Sequence, residues 1–158
     1  MKATARVREM RPDDNAAVIE VFRASVRMAA GRDYSHEQVI AWAPDDIDPV
    51  VWAKRYDTRQ TWVADAEGTL AGFIELQSDG HLDMLYVHPV HQRQGIASAL
   101  LQQVETAARD LGVERLYTEA SITARPFFER RGFRLIARQT VVRGAQPFVN
   151  FRMDKALR

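Results

Sequence analysis

Residues 81–121 constrain the fold of this chain more than any other stretch. Leu82-Asp83-Met84-Leu85-Tyr86-Val87 reads as a strand that Pro89 stops, and a helix follows from about Arg93 to Leu111, with Ile96, Leu100, Leu101, Val104, Ala108 and Leu111 on one face. Gly112 ends that helix and residues 115–120 read as a strand again. Strand, helix and strand in this order make a βαβ unit, so the two strands lie parallel in one sheet. The rest of the pattern is different. Residues 61–66 and 69–77 form a hairpin around Glu67-Gly68, residues 133–142 and 148–153 form a second around Gly144 and Pro147, and residues 5–10 add a strand. A helix starts at Pro12-Asp13-Asp14 and buries Val18, Ile19, Val21, Phe22 and Val26. Ser35 and Gln38 form a capping box for a short helix to Trp42, Asp48-Pro49 starts another to about Tyr56, and residues 123–131 make one more. The expected fold is α+β: one mixed, mostly antiparallel sheet of about seven strands with a central βαβ unit and helices on both faces. At 158 residues the chain reads as one domain, 1–158.

The turn inside the βαβ unit carries chemistry. His91-Gln92-Arg93-Gln94-Gly95-Ile96-Ala97 leads from the strand into the helix. A helix N-terminus has unpaired N–H groups and partial positive charge, and Gly95 and Ala97 put no bulk in front of them. Arg93, Gln92 and Gln94 add a charge and two amides, so the segment suits a diphosphate, although by itself such a turn is equally an ordinary connection. It has neither Gly-x-x-x-x-Gly-Lys-Ser/Thr nor a full Gly-x-Gly-x-x-Gly, which disfavours a Rossmann-type nucleotide domain.

Gln92-x-x-Gly95-x-Ala97 after Leu85-Tyr86-Val87-His88-Pro89 resembles the acyl-CoA signature of the GNAT superfamily of N-acetyltransferases. Ala124-Arg125-Pro126-Phe127-Phe128-Glu129-Arg130-Arg131-Gly132-Phe133 is similar to that family's second motif, Asn-x-x-Ala-x-x-Phe-Tyr-x-x-x-Gly-Phe, with Ser121 in place of the Asn and Phe128 in place of the Tyr. The resemblance spans nearly the whole chain and is strongest over residues 82–133. It implies that acetyl-CoA is the co-substrate, that the two parallel strands splay apart, and that Leu85 and Val87 hold the pantetheine amides as a further strand would. It puts Gln92, Arg93, Gln94, Gly95, Ile96 and Ala97 on the pyrophosphate, Phe128 toward the thioester, and the Ser121 hydroxyl near pantetheine. The implied activity is acetyl transfer to an amine by direct attack in a ternary complex. Because Phe128 lacks the hydroxyl acid, a non-catalytic acyl-CoA sensor is the alternative.

An alkyl amine with a pKa near ~10.4 is neutral about once in 2,500 at pH 7, a cost of roughly 4.6 kcal/mol, so a base is expected. Asp83 and then Glu75 are the candidates, as carboxylates inside strands, although both also suit solvent-facing positions. Tyr86 either lines the acceptor channel or packs. Tyr34, His36, Trp42 and Trp52 fall in residues 28–60, the part that neither motif covers, and acceptor specificity is expected there. Residues 1–90 hold 10 Lys/Arg against 15 Asp/Glu, a balance of −5, and residues 91–158 hold 12 against 6, a balance of +6. The basic half suits a polyanionic co-substrate and the acidic half a cationic acceptor. The acceptor is a small-molecule amine or an amine of a peptide or protein. With no Cys, thiol catalysis and disulfides are excluded. No histidine pair has metal-ligand spacing, no basic stripe suggests nucleic acid, and no apolar run suggests a membrane span or leader, so no metal, no nucleic acid, no membrane and a cytoplasmic location are expected. A homodimer is left open.

Overall fold

Seven strands form one sheet in the order β1-β2-β3-β4-β5-β7-β6. The computed structural model describes residues 5–157, apart from the side chains of residues 29 and 30; residues 1–4, part of the stretch read above as lacking a leader, lie outside it. The strands are β1 (Arg6–Glu9), β2 (Gln60–Ala66), β3 (Thr69–Leu76), β4 (His81–Val87), β5 (Arg115–Ser121), β6 (Arg134–Arg143) and β7 (Gln146–Ala156). The helices are α1 (Asn15–Ala29), α2 (His36–Trp42), α3 (Pro49–Ala53), α4 (Ile96–Asp110) and α5 (Arg125–Arg130). Among the described strands only β4 and β5 run parallel, joined through α4, as a βαβ unit requires. No helix among the described residues is long and apolar enough to cross a membrane.

Alternation along β2 and β3 gives each face of the sheet its own core. Trp62, Ala64 and Ile74 face Ile96, Leu100, Leu101 and Val104 of α4, while Val63 and Phe73 face Val18, Phe22 and Val26 of α1. Gly72 sets how closely α4 lies on the sheet. A Cβ there would sit 2.9 Å from the Tyr86 carbonyl oxygen and 3.3 Å from the Ile96 side chain, so only glycine admits the first turn of α4 at this depth.

Several boundaries differ from the sequence reading, and two of them have a clear backbone cause. Helix α4 begins at Ile96 and not near Arg93, because Arg93 and Gly95 both take left-handed backbone (φ +62° and +78°), which a helix cannot contain. The last hairpin turns at Gly144-Ala145, and Pro147 lies within β7 opposite Val142. Pro147 is tolerated there because β5 pairs with β7 only from Asn150 onward, which leaves no ladder bond for its missing N–H.

Candidate active site

The site is the gap that opens between the two parallel strands. β4 and β5 pair only at His81↔Tyr117 and Leu82↔Thr118, where Thr118 Oγ1 donates to the Leu82 carbonyl at 2.9 Å. Beyond that point they separate. A bulge in β4 starts the separation: Leu76 pairs with Leu82 and Glu75 with Met84, so Asp83 is an extra residue that bends the strand. His88 N–H donates to the Ala71 carbonyl, and hydrogen-bonded pairs alternate along an antiparallel ladder, so Tyr86 and Met84 bond to β3. Leu85 and Val87 therefore turn their backbone groups into the gap. The Val87 carbonyl is occupied there by Gln92 Nε2 at 2.8 Å, which fixes the loop to the strand end. The expected splay is present, and Gln92 acts on the protein's own backbone.

The cradle closes the far end of the gap. The first helical bond of α4 runs from Ala99 N–H to the Gly95 carbonyl, and the N–H groups of residues 93–98 meet no acceptor among the described residues. A Cβ on Gly95 would meet nothing within 4 Å, so the space before these donors is open. Gln94 Oε1 is buried without a partner, Arg93 is exposed, and the Ile96 side chain is buried in the core beneath. Arg131 reaches the same helix end, donating Nε to Ser98 Oγ at 3.1 Å while its guanidinium lies over Phe127.

Two cavities meet across Leu85 and Tyr86. The smaller, about 190 Å³, runs toward the cradle past Val87, Gln92, Ala97 and Phe127. The larger, about 370 Å³, opens on the other side and is lined by Tyr34, Trp42, Arg55, Arg59, Asp83, Glu119, Arg143, Phe148 and Asn150 among others. Tyr86, Ser121, Phe128 and Trp42 border both. Ser121 Oγ accepts from Ala124 N–H at 3.0 Å, which leaves its hydroxyl hydrogen free to be donated. Phe128 is buried between Phe127 and Phe133, at ring distances of 5.4 and 5.0 Å.

The charged groups form a network. Arg55 donates to Glu75 at 2.8 Å and to Asp83 at 2.6 Å, and Arg59 donates to Asp83 at 2.6 Å. Burial alone would raise the Asp83 carboxyl, but these two guanidiniums hold it below the usual aspartate range. Glu75 is fully buried and does not line the cavity, so the solvent-facing reading of it is overturned. Burial raises its carboxyl despite the bond from Arg55. The Tyr86 phenol is pushed up to about 12 by burial, with Arg143 acting in the opposite sense. The Trp42 indole also favours the phenolate, yet its N–H stays outside hydrogen-bond geometry. Glu119, on β5, accepts from His81 Nε2 at 2.7 Å, and this bond raises the imidazole.

Of the expected acceptor residues, Tyr34 and Trp42 stand on the wall. His36 is exposed at the start of α2, and Trp52 packs on Phe22 at 5.0 Å with its N–H on Tyr56, so neither reaches the cavity. The wall is also not acidic: Arg55, Arg59 and Arg143 face Asp83 and Glu119. Sequence reasoning missed these arginines, Glu119 and Asn150. The alternation of β5 could have flagged Glu119, whereas the approach of Arg143 to Trp42 depends on tertiary packing. Among the described residues no cluster of His, Asp and Glu has the arrangement to hold a metal ion.

Comparison with known proteins agrees with this geometry. Residues 30–155 match the acetyltransferase (GNAT) domain family. The Escherichia coli (strain K12) protein described as uncharacterized N-acetyltransferase YafP is 39% identical over 148 residues, covering 94% of this chain and 93% of that protein. The peptidyl-lysine N-acetyltransferase YiaC of the same organism is 26% identical, covering 82% and 84%. A crystal structure from Rhodopseudomonas palustris, described as a GCN5-related N-acetyltransferase, superposes with a TM-score of 0.93 at 33% identity, covering 99% of this chain and 98% of that one.

Proposed function

The chain belongs to the GNAT family of N-acetyltransferases, and from that premise we propose that it moves the acetyl group of acetyl-CoA onto an amine in a ternary complex, by direct attack across the gap between β4 and β5. The observation that carries this reading is the meeting of two cavities at Leu85 and Tyr86, one leading to unpaired helix N–H groups and the other to a polar chamber.

The donor side follows from the chain's own groups. N–H groups of residues 94–97 take the diphosphate, which the helix dipole favours. The Leu85 backbone and the Val87 N–H take the pantetheine amides as a neighbouring strand would. The thioester then lies by Tyr86, Ser121 and Phe128. The amine enters from the larger cavity and attacks the carbonyl carbon as the carbon–sulfur bond breaks. Departure of the thiolate needs only modest help, since a thiol pKa is near ~8.5. Tyr86, protonated throughout the physiological range, supplies the proton that Phe128 cannot. Asp83, held ionised, accepts an N–H of the amine and passes the proton to water at the cavity mouth. Glu75 fixes Arg55 from below. A phenylalanine at position 128 therefore does not by itself favour the sensor reading.

The test is release of CoA thiol from acetyl-CoA in the presence of an amine panel. Wild-type protein should release thiol only with an amine present, and Tyr86→Phe should lower kcat by about 10²-fold or more while CoA affinity is kept. A Tyr86→Phe protein with unchanged kcat removes Tyr86 as the acid, and amine-independent release removes direct transfer.

A further inference from the structure

Arg143 stands at the end of the β6–β7 hairpin, and α2 holds that end in place. Gln38 of α2 donates Nε2 to the Pro147 carbonyl, and Gly144 packs against Ala41. This seats the Arg143 guanidinium over Trp42 and Phe148, at 5.8 and 5.9 Å from the ring centres, on the wall of the larger cavity. Its two neighbours in charge are already neutralised, Arg55 by Glu75 and Asp83 and Arg59 by Asp83. Arg143 has no carboxylate within ion-pair distance among the described residues. The same wall holds a second unmet group. Asn150 is buried, and its Oδ1 has no hydrogen-bond donor. Asn150 pairs with Ser121, which borders both cavities, so it lies near the point of transfer, while Arg143 lies toward the hairpin tip.

A guanidinium at the solvent-exposed end of this cavity, free of any carboxylate, and an orphaned buried amide oxygen at the other end together match a ligand that carries an anion and an N–H donor. We propose that the acceptor is a small amino carboxylate, with its carboxylate on Arg143 and its amine beside Asn150. The inference rests on the acetyl-transfer reading above and names the substrate class of the same site. The chamber of about 370 Å³ falls in the size range of small-molecule pockets, and the aromatic faces of Trp42 and Phe148 suit a short aliphatic stem between the two polar ends. A lysine side chain presented by a protein brings the amine but leaves Arg143 without an anion.

The experiment uses the full chain with acetyl-CoA and matched pairs of amines: α-amino acids and ω-amino acids of two to six carbons, each beside its carboxamide, with a lysine-containing peptide as the macromolecular arm. Steady-state constants are compared for wild type, Arg143→Gln and Arg143→Lys, and CoA affinity is measured by calorimetry. At least one carboxylate should be preferred over its carboxamide by tenfold or more in kcat/KM. Arg143→Gln should raise KM for that carboxylate at least tenfold, remove its preference over the carboxamide, and leave CoA affinity by calorimetry unchanged; Arg143→Lys should restore part of the preference. Equal use of acid and amide, a preference that survives Arg143→Gln, or turnover of the peptide alone overturns this inference while the acetyl-transfer reading stands. CoA binding with no amine acetylated overturns both.

Discussion

Gly95 is a residue whose side of the cradle is empty, and that makes it a sharp probe. Its φ of +78° suits glycine, yet a Cβ there would touch nothing within 4 Å, so a substitution carries a backbone penalty of only ~1–2 kcal/mol and no clash with the protein. Gly95→Asp should fold, with a modestly lowered Tm. The added carboxylate would stand before the free N–H groups and repel a diphosphate, so CoA affinity by calorimetry should fall by more than tenfold. Unchanged affinity in a folded Gly95→Asp protein sinks the cradle. This residue was legible in the sequence because a strand, a glycine turn and a helix define it locally. Leu85, Val87 and Ala97 were legible for the same reason. Glu75 was not. Alternation along a strand does not say which face is covered, and the pairing that buries Glu75 comes from Arg55, twenty residues away and on another element. Gln92 lies where the sequence reading placed it, and its amide reaches the Val87 carbonyl, a bond that strand and loop make only once folded.

At the scale of elements, function follows from how strands end. The bulge at Asp83 and the early loss of β4–β5 pairing create the gap, and Gly72 lets α4 approach until its N-terminus faces that gap. The other side of the gap is only as fixed as β5, whose partner is β7. Asp154 of β7 holds this region: it is buried, accepts from Arg115 on β5 at 2.7 Å and from Arg134 on β6 at 2.8 Å, and these bonds hold its carboxyl below the usual range. A depressed carboxyl contributes stability above the ordinary aspartate pKa of 3.8, and that contribution is lost as pH falls through the lower folded value. Arg134 and Arg115 are largely solvent-exposed, so the whole contribution is set at about 1 kcal/mol. Asp154→Asn should therefore lower Tm by roughly 3 °C at pH 7, and the gap to wild type should close as pH drops below 3.8. Melting curves at pH 7 and pH 3 check this, and a difference that persists undiminished at pH 3 contradicts the assignment. The order of elements was readable because periodicity and turn residues are local. The boundaries at Ile96 and Pro147 were not, since left-handed backbone at Arg93 and the reach of β5 along β7 are set by tertiary contacts.

Across the whole molecule the chain's charge does not map onto two faces. The basic C-terminal half contributes Arg143 to the same chamber that Arg55, Arg59 and Asp83 of the acidic half line, because β6 and β7 fold back beside β5. The fold was legible in the sequence, and so was the strand–turn–helix proposed as the donor side, since contiguous residues encode it. The acceptor side was legible only in part: Tyr34, Trp42 and Asp83 reach it, but its remaining polar residues come from four separate segments that only the folded sheet assembles. The central claim is that donor and acceptor occupy the two joined cavities together. The measurement that tests it most directly is initial velocity with acetyl-CoA and an active amine varied against each other, beside intact-mass analysis of the protein incubated with acetyl-CoA alone. The account predicts reciprocal plots that intersect and a protein mass without an added acetyl group. Parallel plots with an acetylated protein would contradict it.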